Sequence, residues 1–130
     1  MKILVGYDGS NVAFHALKLA RKHAKAFDAK IDVVTSFEKG DENNFQDIKN
    51  AERKLAYAQT LFEKDNISSE THLLVRGLSP GEDLLKFAKE NKVDEIIIGV
   101  RRRSNIGRLV FGSTARYVIL EAPCPVVTVK

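Results

Sequence analysis

Three consecutive isoleucines, Ile96-Ile97-Ile98, lie between an acidic pair and Gly99. A strand with one face in water alternates apolar with polar residues. An unbroken apolar run implies cover on both faces, as at the centre of a parallel sheet. Parallel neighbours cannot be joined by a tight hairpin; each join needs a crossover, usually a helix. The run therefore predicts a chain in which strands and helices alternate.

The other stretches obey that alternation. Lys2 to Tyr7 (KILVGY) is a short apolar run closed by Asp8-Gly9-Ser10, which predicts a strand and a turn. Ser10 or Asn11 can cap a helix beginning there. Ala13, Ala16, Leu17, Ala20, Ala24 and Phe27 recur at helical spacing, a face of small residues that packs closely on a sheet, and Asp28-Ala29 ends it. Lys30 to Phe37 is β-branched and aromatic, a second strand. Glu38 to Asn44 is polar and reads as a mobile loop. Ile48, Ala51, Leu55, Ala58 and Phe62 mark a core-facing helix over Asp47 to Asn66. Ser69 to Arg76 is a third strand. Ser79-Pro80-Gly81-Glu82 has the residues of a capping box with proline at the first helical position, and Leu84, Leu85, Phe87 and Ala88 carry that helix to Asn91. Val93 to Gly99 is the fourth strand, Ser113 to Glu121 a fourth helix, and Val126 to Val129 a fifth strand after the breaker Ala122-Pro123-Cys124-Pro125. The result is an α/β chain with a doubly wound parallel sheet and helices on both faces, read as a single domain over residues 1–130.

Such sheets bind ligands outside the carboxyl ends of their strands, where the strand order reverses. Two polar loops stand at strand ends here: Asp8-Gly9-Ser10, and the segment from Gly99 to Thr114, GVRRRSNIGRLVFGST. The second holds Arg101, Arg102, Arg103 and Arg108, with Arg116 just beyond, and no acidic residue. The net charge is only +4, so these five arginines account for all of it and the basicity is local. Glycines, small hydroxyls, a helix start and arginines are the parts of a small-anion site; the plain alternative is a solvated arginine-rich loop.

Other classes of function find less support. The single cysteine, Cys124, rules out an internal disulfide and fits a reducing compartment. Between two prolines, and with no basic partner nearby in sequence, it reads as buried and inert. The first residues make no signal peptide and no stretch approaches a membrane span, so the expected location is the cytoplasm and no membrane partner is expected. His15, His23 and His72 stand at no metal-ligand spacing relative to the cysteine, and no metal set is read. The lysine-bearing phosphate loop of the P-loop enzymes and a nucleophile elbow are both absent, and no residue stands out as a base for hydrolysis. A near-neutral remainder without an aromatic platform argues against nucleic acid.

The start ILVGYDGS, the order of elements, the run GSTA and the closing APCPVVTVK together resemble the universal stress protein family over essentially the whole chain. The resemblance implies a five-stranded parallel sheet in the order 3-2-1-4-5. It also implies ATP binding through a loop of the form G-x2-G-x9-G-(S/T). Gly99 matches the first glycine, and Gly112-Ser113 match the last glycine and hydroxyl with the nine-residue gap intact; Arg102 replaces the middle glycine. The implied site comprises Gly6, Tyr7, Asp8, Ser36, Ile98, Gly99, Arg101, Arg102, Arg103, Gly112, Ser113 and Thr114, with ATP as ligand, with or without Mg²⁺, and no catalytic residue.

Each position also has a physical reading. Gly99 would let the backbone approach a phosphate, or would serve as a strand-end turn; both readings can hold together. Ser113 and Thr114 offer helix amides to an anion or simply cap the helix. Asp8 can accept from a ribose hydroxyl or close an Asx turn with Gly9. For Ser36 the reading is the one the resemblance implies: its position is expected to act through its backbone, against adenine. Arg102 either blocks close approach or grips a phosphate itself. The expected function is a cytoplasmic ATP-binding regulatory module of the stress response, with at most slow hydrolysis and an unknown regulatory protein partner. The alternative is a dimeric interaction protein of the same family that binds no nucleotide. Val126-Val127-Thr128-Val129 would be an apolar, unprotected edge. In the family such a strand pairs across a two-fold axis, so a homodimer through it is expected.

Overall fold

The alternation is realised in the computed structural model, which describes residues 1–101 and 112–130. Its elements are β1 (Lys2–Gly6), α1 (Asn11–Phe27), β2 (Lys30–Phe37), α2 (Phe45–Glu63), β3 (Ser69–Val75), α3 (Pro80–Glu90), β4 (Glu95–Gly99), α4 (Ser113–Glu121) and β5 (Val126–Val129). The sheet runs β3-β2-β1-β4-β5, every pair parallel. The order reverses between β1 and β4, where Leu4 pairs with Ile96 and Val5 with Ile97.

The two-residue period of the strands sorts the core into two layers. Ile3, Val5, Ile31, Val33 and Ile97 point to one side, beneath Ala13, Ala16, Leu17, Ala20 and Ala24 of α1 and Leu55, Ala58 and Phe62 of α2. Leu4, Val34, Ile96 and Ile98 point to the other, beneath Leu84, Leu85, Phe87 and Ala88 of α3 and Ala115 and Val118 of α4. Ile96, Ile97 and Ile98 are all buried, as an unbroken run in a central strand requires.

Several boundaries differ from the sequence reading. Phe27, expected on the core-facing stripe of α1, is 56% exposed with its ring edge-on to His23, while Asp28, with a left-handed φ of 52°, ends the helix as read. α2 starts at Phe45, with Asn44 as its cap residue, and stops at Glu63, ahead of Asn66 with φ 57°. β1 ends at Gly6, β3 at Val75, and β4 starts at Glu95, after Lys92 with φ 52°. Ser79 occupies the cap of α3, yet its hydroxyl donates to Glu82 Oε1 at 2.6 Å instead of accepting from a helix amide. Cys124 is half-buried rather than buried, and burial with Asp94 and Glu95 nearby pushes its thiol above the ordinary value. Among the described residues no helix is long and apolar enough to cross a membrane.

Candidate functional site

At the reversal of strand order lies a cavity of about 420 Å³. Its walls come from the ends of three strands: Gly6, Tyr7 and Asp8 after β1, Val34, Thr35 and Ser36 of β2, and Ile98, Gly99, Val100 and Arg101 at the end of β4. Three helix N-termini close it, through Ser10 and Ala13 of α1, Pro80 and Leu84 of α3, and Gly112, Ser113, Thr114 and Ala115 of α4. Leu84, Val34 and Ile98 supply apolar wall, and the start of α4 and the charges of Asp8 and Arg101 border the same cavity.

The helix starts differ in how they are satisfied. Ser10 Oγ accepts from Ala13 N–H at 3.2 Å, which caps α1. Gly112 occupies the cap of α4 and has no side chain, so among the described residues no side chain caps that helix. Ser113 and Thr114 are thus the first helical residues rather than caps. Free amides in a first helical turn attract an anion, and α4 brings them to the cavity wall.

Of the two roles the sequence left open for Asp8, the structure shows the turn. Its Oδ1 accepts from Ser10 N–H at 2.9 Å, the turn reading, and Gly9 supports that turn with φ +79°. Its Oδ2 is free to look across the cavity mouth, where Arg101 Nη2 donates to it at 3.3 Å. Both side chains are at least half exposed, so this ion pair is weak and easily exchanged for ligand groups. Tyr7 is buried, and burial, with Tyr57 and Asp8 nearby, pushes its hydroxyl above the ordinary value and keeps the phenol neutral.

The glycines have separable reasons. A Cβ on Gly99 would stand 2.6 Å from the carbonyl carbon of Val12 and 2.7 Å from its oxygen. Gly99 is therefore required by the first turn of α1, which crosses the end of β4 backbone against side-chain-free backbone. At Gly6 a Cβ would meet Leu84 and Ile98 side chains at 3.2 and 3.3 Å. At Gly112 it would meet nothing within 4 Å, so no packing reason in the described residues demands glycine there.

Ser36 lines the cavity, but its hydroxyl donates to Asp83 Oδ2 at 2.7 Å. Asp83 is fully buried and also accepts from Arg76 Nε at 2.6 Å; Arg76 continues to Glu90 at 2.7 Å. This chain ties the ends of β2 and β3 to α3 directly behind the cavity. Thr35 adds a second tie, donating its hydroxyl proton to the Tyr7 carbonyl. Asp83, Arg76 and Thr35 escaped the sequence reading. A signal for Asp83 existed: it falls on the helix stripe of Leu84, Phe87 and Ala88, where a carboxylate needs a buried partner. Of the expected site residues, Gly6, Tyr7, Asp8, Ser36, Ile98, Gly99, Arg101, Gly112, Ser113 and Thr114 all border this one cavity. Arg102 and Arg103 lie outside the described residues.

A sequence model of the universal stress protein family matches residues 1–130. A universal stress protein of Thermus aquaticus is 34% identical, over 98% of this chain and 97% of its own length. Among solved structures, a universal stress protein from Archaeoglobus fulgidus superposes with a TM-score of 0.90 at 39% identity, covering 100% of this chain and 98% of the other. A structure of the universal stress protein from the same organism in complex with dAMP superposes at 0.85 with 36% identity, covering 100% and 98%. Sequence and fold agree along the full length: the chain belongs to the universal stress protein family.

Proposed function

We propose that the cavity between β1 and β4 binds an adenine nucleotide, with ATP as the physiological ligand, and that occupancy is the signal this stress protein transmits. The observation that carries the reading is the start of α4, which no side chain caps among the described residues, with Ser113 and Thr114 on the wall of a cavity that Val34, Leu84 and Ile98 also line. A flat base fits the wall of Val34, Leu84 and Ile98, and the phosphates fit the α4 amides and Arg101. Asp8 accepts from the ribose in place of Arg101. Support also comes from the similar Archaeoglobus fulgidus protein in complex with dAMP. Asp8 is the one carboxylate lining the described cavity, and its Oδ1 is held in the turn with Ser10; in this reading the ligand is sensed, and Mg²⁺ would arrive with the phosphates.

Binding is read by calorimetric titration of ATP, with and without Mg²⁺, into the wild type and Ser113→Ala. The hydroxyl's contact to a charged phosphate is worth about 1.5–3 kcal/mol, so the variant weakens binding by roughly tenfold to a hundredfold. No heat and no thermal shift at millimolar ATP would replace this reading with that of a nucleotide-free interaction protein. Restoring glycine at position 102 then tests whether Arg102 is the block. The output surface in this proposal is a homodimer through β5, an edge strand whose Val126, Val127 and Val129 are only partly covered. A monomer by ultracentrifugation at tens of micromolar counts against it.

A further inference from the structure

We propose that Asp32, Glu70 and His72 form a binding site for a divalent transition-metal ion of the zinc and cobalt type, which clamps the edge strand β3 to β2. The parallel register sets Asp32 opposite Glu70 and Val34 opposite His72. Side chains two apart share a face, so all three groups emerge on the α3 side of the sheet. His72 Nε2 lies 2.9 Å from Asp32 Oδ1 and 3.7 Å from Glu70 Oε2, and the three ligand atoms all fall within 4.8 Å of one another. Ligands about 2.0–2.1 Å from a tetrahedral ion stand about 3.3 Å apart, so shifts of well under an ångström at the His72–Asp32 pair make room for the ion. One imidazole and two carboxylates supply three ligands and leave a fourth position for water, a donor set suited to borderline divalent metals.

Two features separate this cluster from a surface ion pair. Asp32 is only 3% exposed, on a strand otherwise filled with Ile31, Val33 and Val34, and His72 is its sole side-chain partner among the described residues. Its second oxygen takes no hydrogen bond from them and keeps slight solvent access, which leaves it open to an ion. The imidazole is also pre-positioned: the Phe87 ring packs on it with centroids 4.8 Å apart, leaving Nε2 aimed between the two acids. Lys30 Nζ holds the other oxygen of Glu70 at 3.2 Å and competes weakly for it. Asp32 stands two residues before the wall residue Val34 on β2, about 7 Å away at strand rise, and none of the three ligands lines the cavity, so this site needs no nucleotide.

The test is titration of nucleotide-free protein with Co²⁺, then Zn²⁺ competition. One equivalent of Co²⁺ is expected to give the visible ligand-field bands of a four-coordinate ion, and Zn²⁺ to abolish them and raise Tm. Glu70→Gln and His72→Ala each weaken binding at least roughly tenfold, a floor set by the loss of a mere outer partner. Glu70→Gln changes an exposed side chain and leaves the metal-free Tm unmoved, which separates loss of binding from loss of fold. Lys30→Ala tightens binding. Absence of bands at millimolar Co²⁺ overturns the proposal. So do bands that survive both variants, bands lost in His15→Ala, or a thiolate charge-transfer band marking Cys124.

Discussion

Replacing Gly99 with alanine separates two explanations for one glycine. If Gly99 existed only to admit a phosphate, Gly99→Ala would lower affinity and leave the fold alone. The structure demands more: the new methyl would lie 2.6 Å from the Val12 carbonyl carbon, 2.7 Å from its oxygen and 2.9 Å from the Ala13 nitrogen. An ordinary carbon contact needs about 3.5–4.0 Å, so strand and helix must part by roughly 1 Å. The neighbour is helix backbone and cannot rotate aside. Overpacking costs typically 1–3 kcal/mol, and this case belongs at about 3. At a urea slope of roughly 1.5 kcal/mol/M the unfolding midpoint falls by about 2 M with the slope unchanged. The displaced turn carries Ser10 and Ala13 of the cavity wall, so affinity for ATP falls as well. Gly112→Ala is the control, since its methyl enters open space. A weaker cap, about 0.5–1 kcal/mol, is offset by a similar loss of unfolded-state freedom, and the midpoint stays near that of the wild type. Equal damage from both variants, or a Gly99→Ala midpoint within about 0.3 M of wild type, would refute the packing argument.

Asp83→Ala strands the Arg76 guanidinium and the Ser36 hydroxyl; breaking a buried pair costs about 3–5 kcal/mol. Arg76 keeps Glu90 and some solvent, so the loss by urea titration is expected at the lower end. Asp8→Ala removes the proposed ribose acceptor, and the preference for ATP over dATP in calorimetry should shrink relative to wild type. Asp65 is held below the usual carboxylate range by its hydrogen bond to Arg21, with Lys25 adding to the effect. A depressed folded pKa means stability that is present above the unfolded value and lost as pH falls through the folded one. Arg21→Ala should therefore lower Tm slightly at neutral pH and flatten the acid limb of a Tm-against-pH curve below about pH 4, so that variant and wild type converge in acid. The raised Cys124 thiol predicts slow alkylation at neutral pH that accelerates on unfolding; rapid labelling of native protein would contradict it.

The fold was legible because its signals are local and periodic. Ile96-Ile97-Ile98 announces a central strand without reference to any other residue, and Ala13, Ala16, Ala20 and Ala24 announce the packing face of α1 in the same way. Strand order is not local, and it came from the resemblance to a family rather than from any spacing. The boundaries that slipped, at Asn66 and at Lys92, sit at left-handed residues, as does Asp28, where the end of α1 was read correctly. A left-handed φ at an aspartate, asparagine or lysine leaves a weaker mark on sequence than glycine does.

Contacts between elements were legible only where a motif had fused them into one string. Gly99 and Gly112-Ser113 belong to such a string, yet the reason for Gly99 is Val12, which is eighty-seven positions away and in no motif. Asp83 and Asp32 make the same point from inside the elements. Strand parity puts Asp32 on the face of Val34, and helical phase puts Asp83 beside Leu84, so each is readable as a carboxylate turned toward the core. A buried carboxylate must have partners, but naming them as Arg76 and Ser36, or as His72, requires the register of β2 against β3 and the seating of α3 across both. Register in a parallel pair is set by layers of apolar side chains and fixed by no turn. The sequence can therefore state that a partner is needed at Asp32 and Asp83, and only the folded sheet can say which residue meets that need and what else converges there.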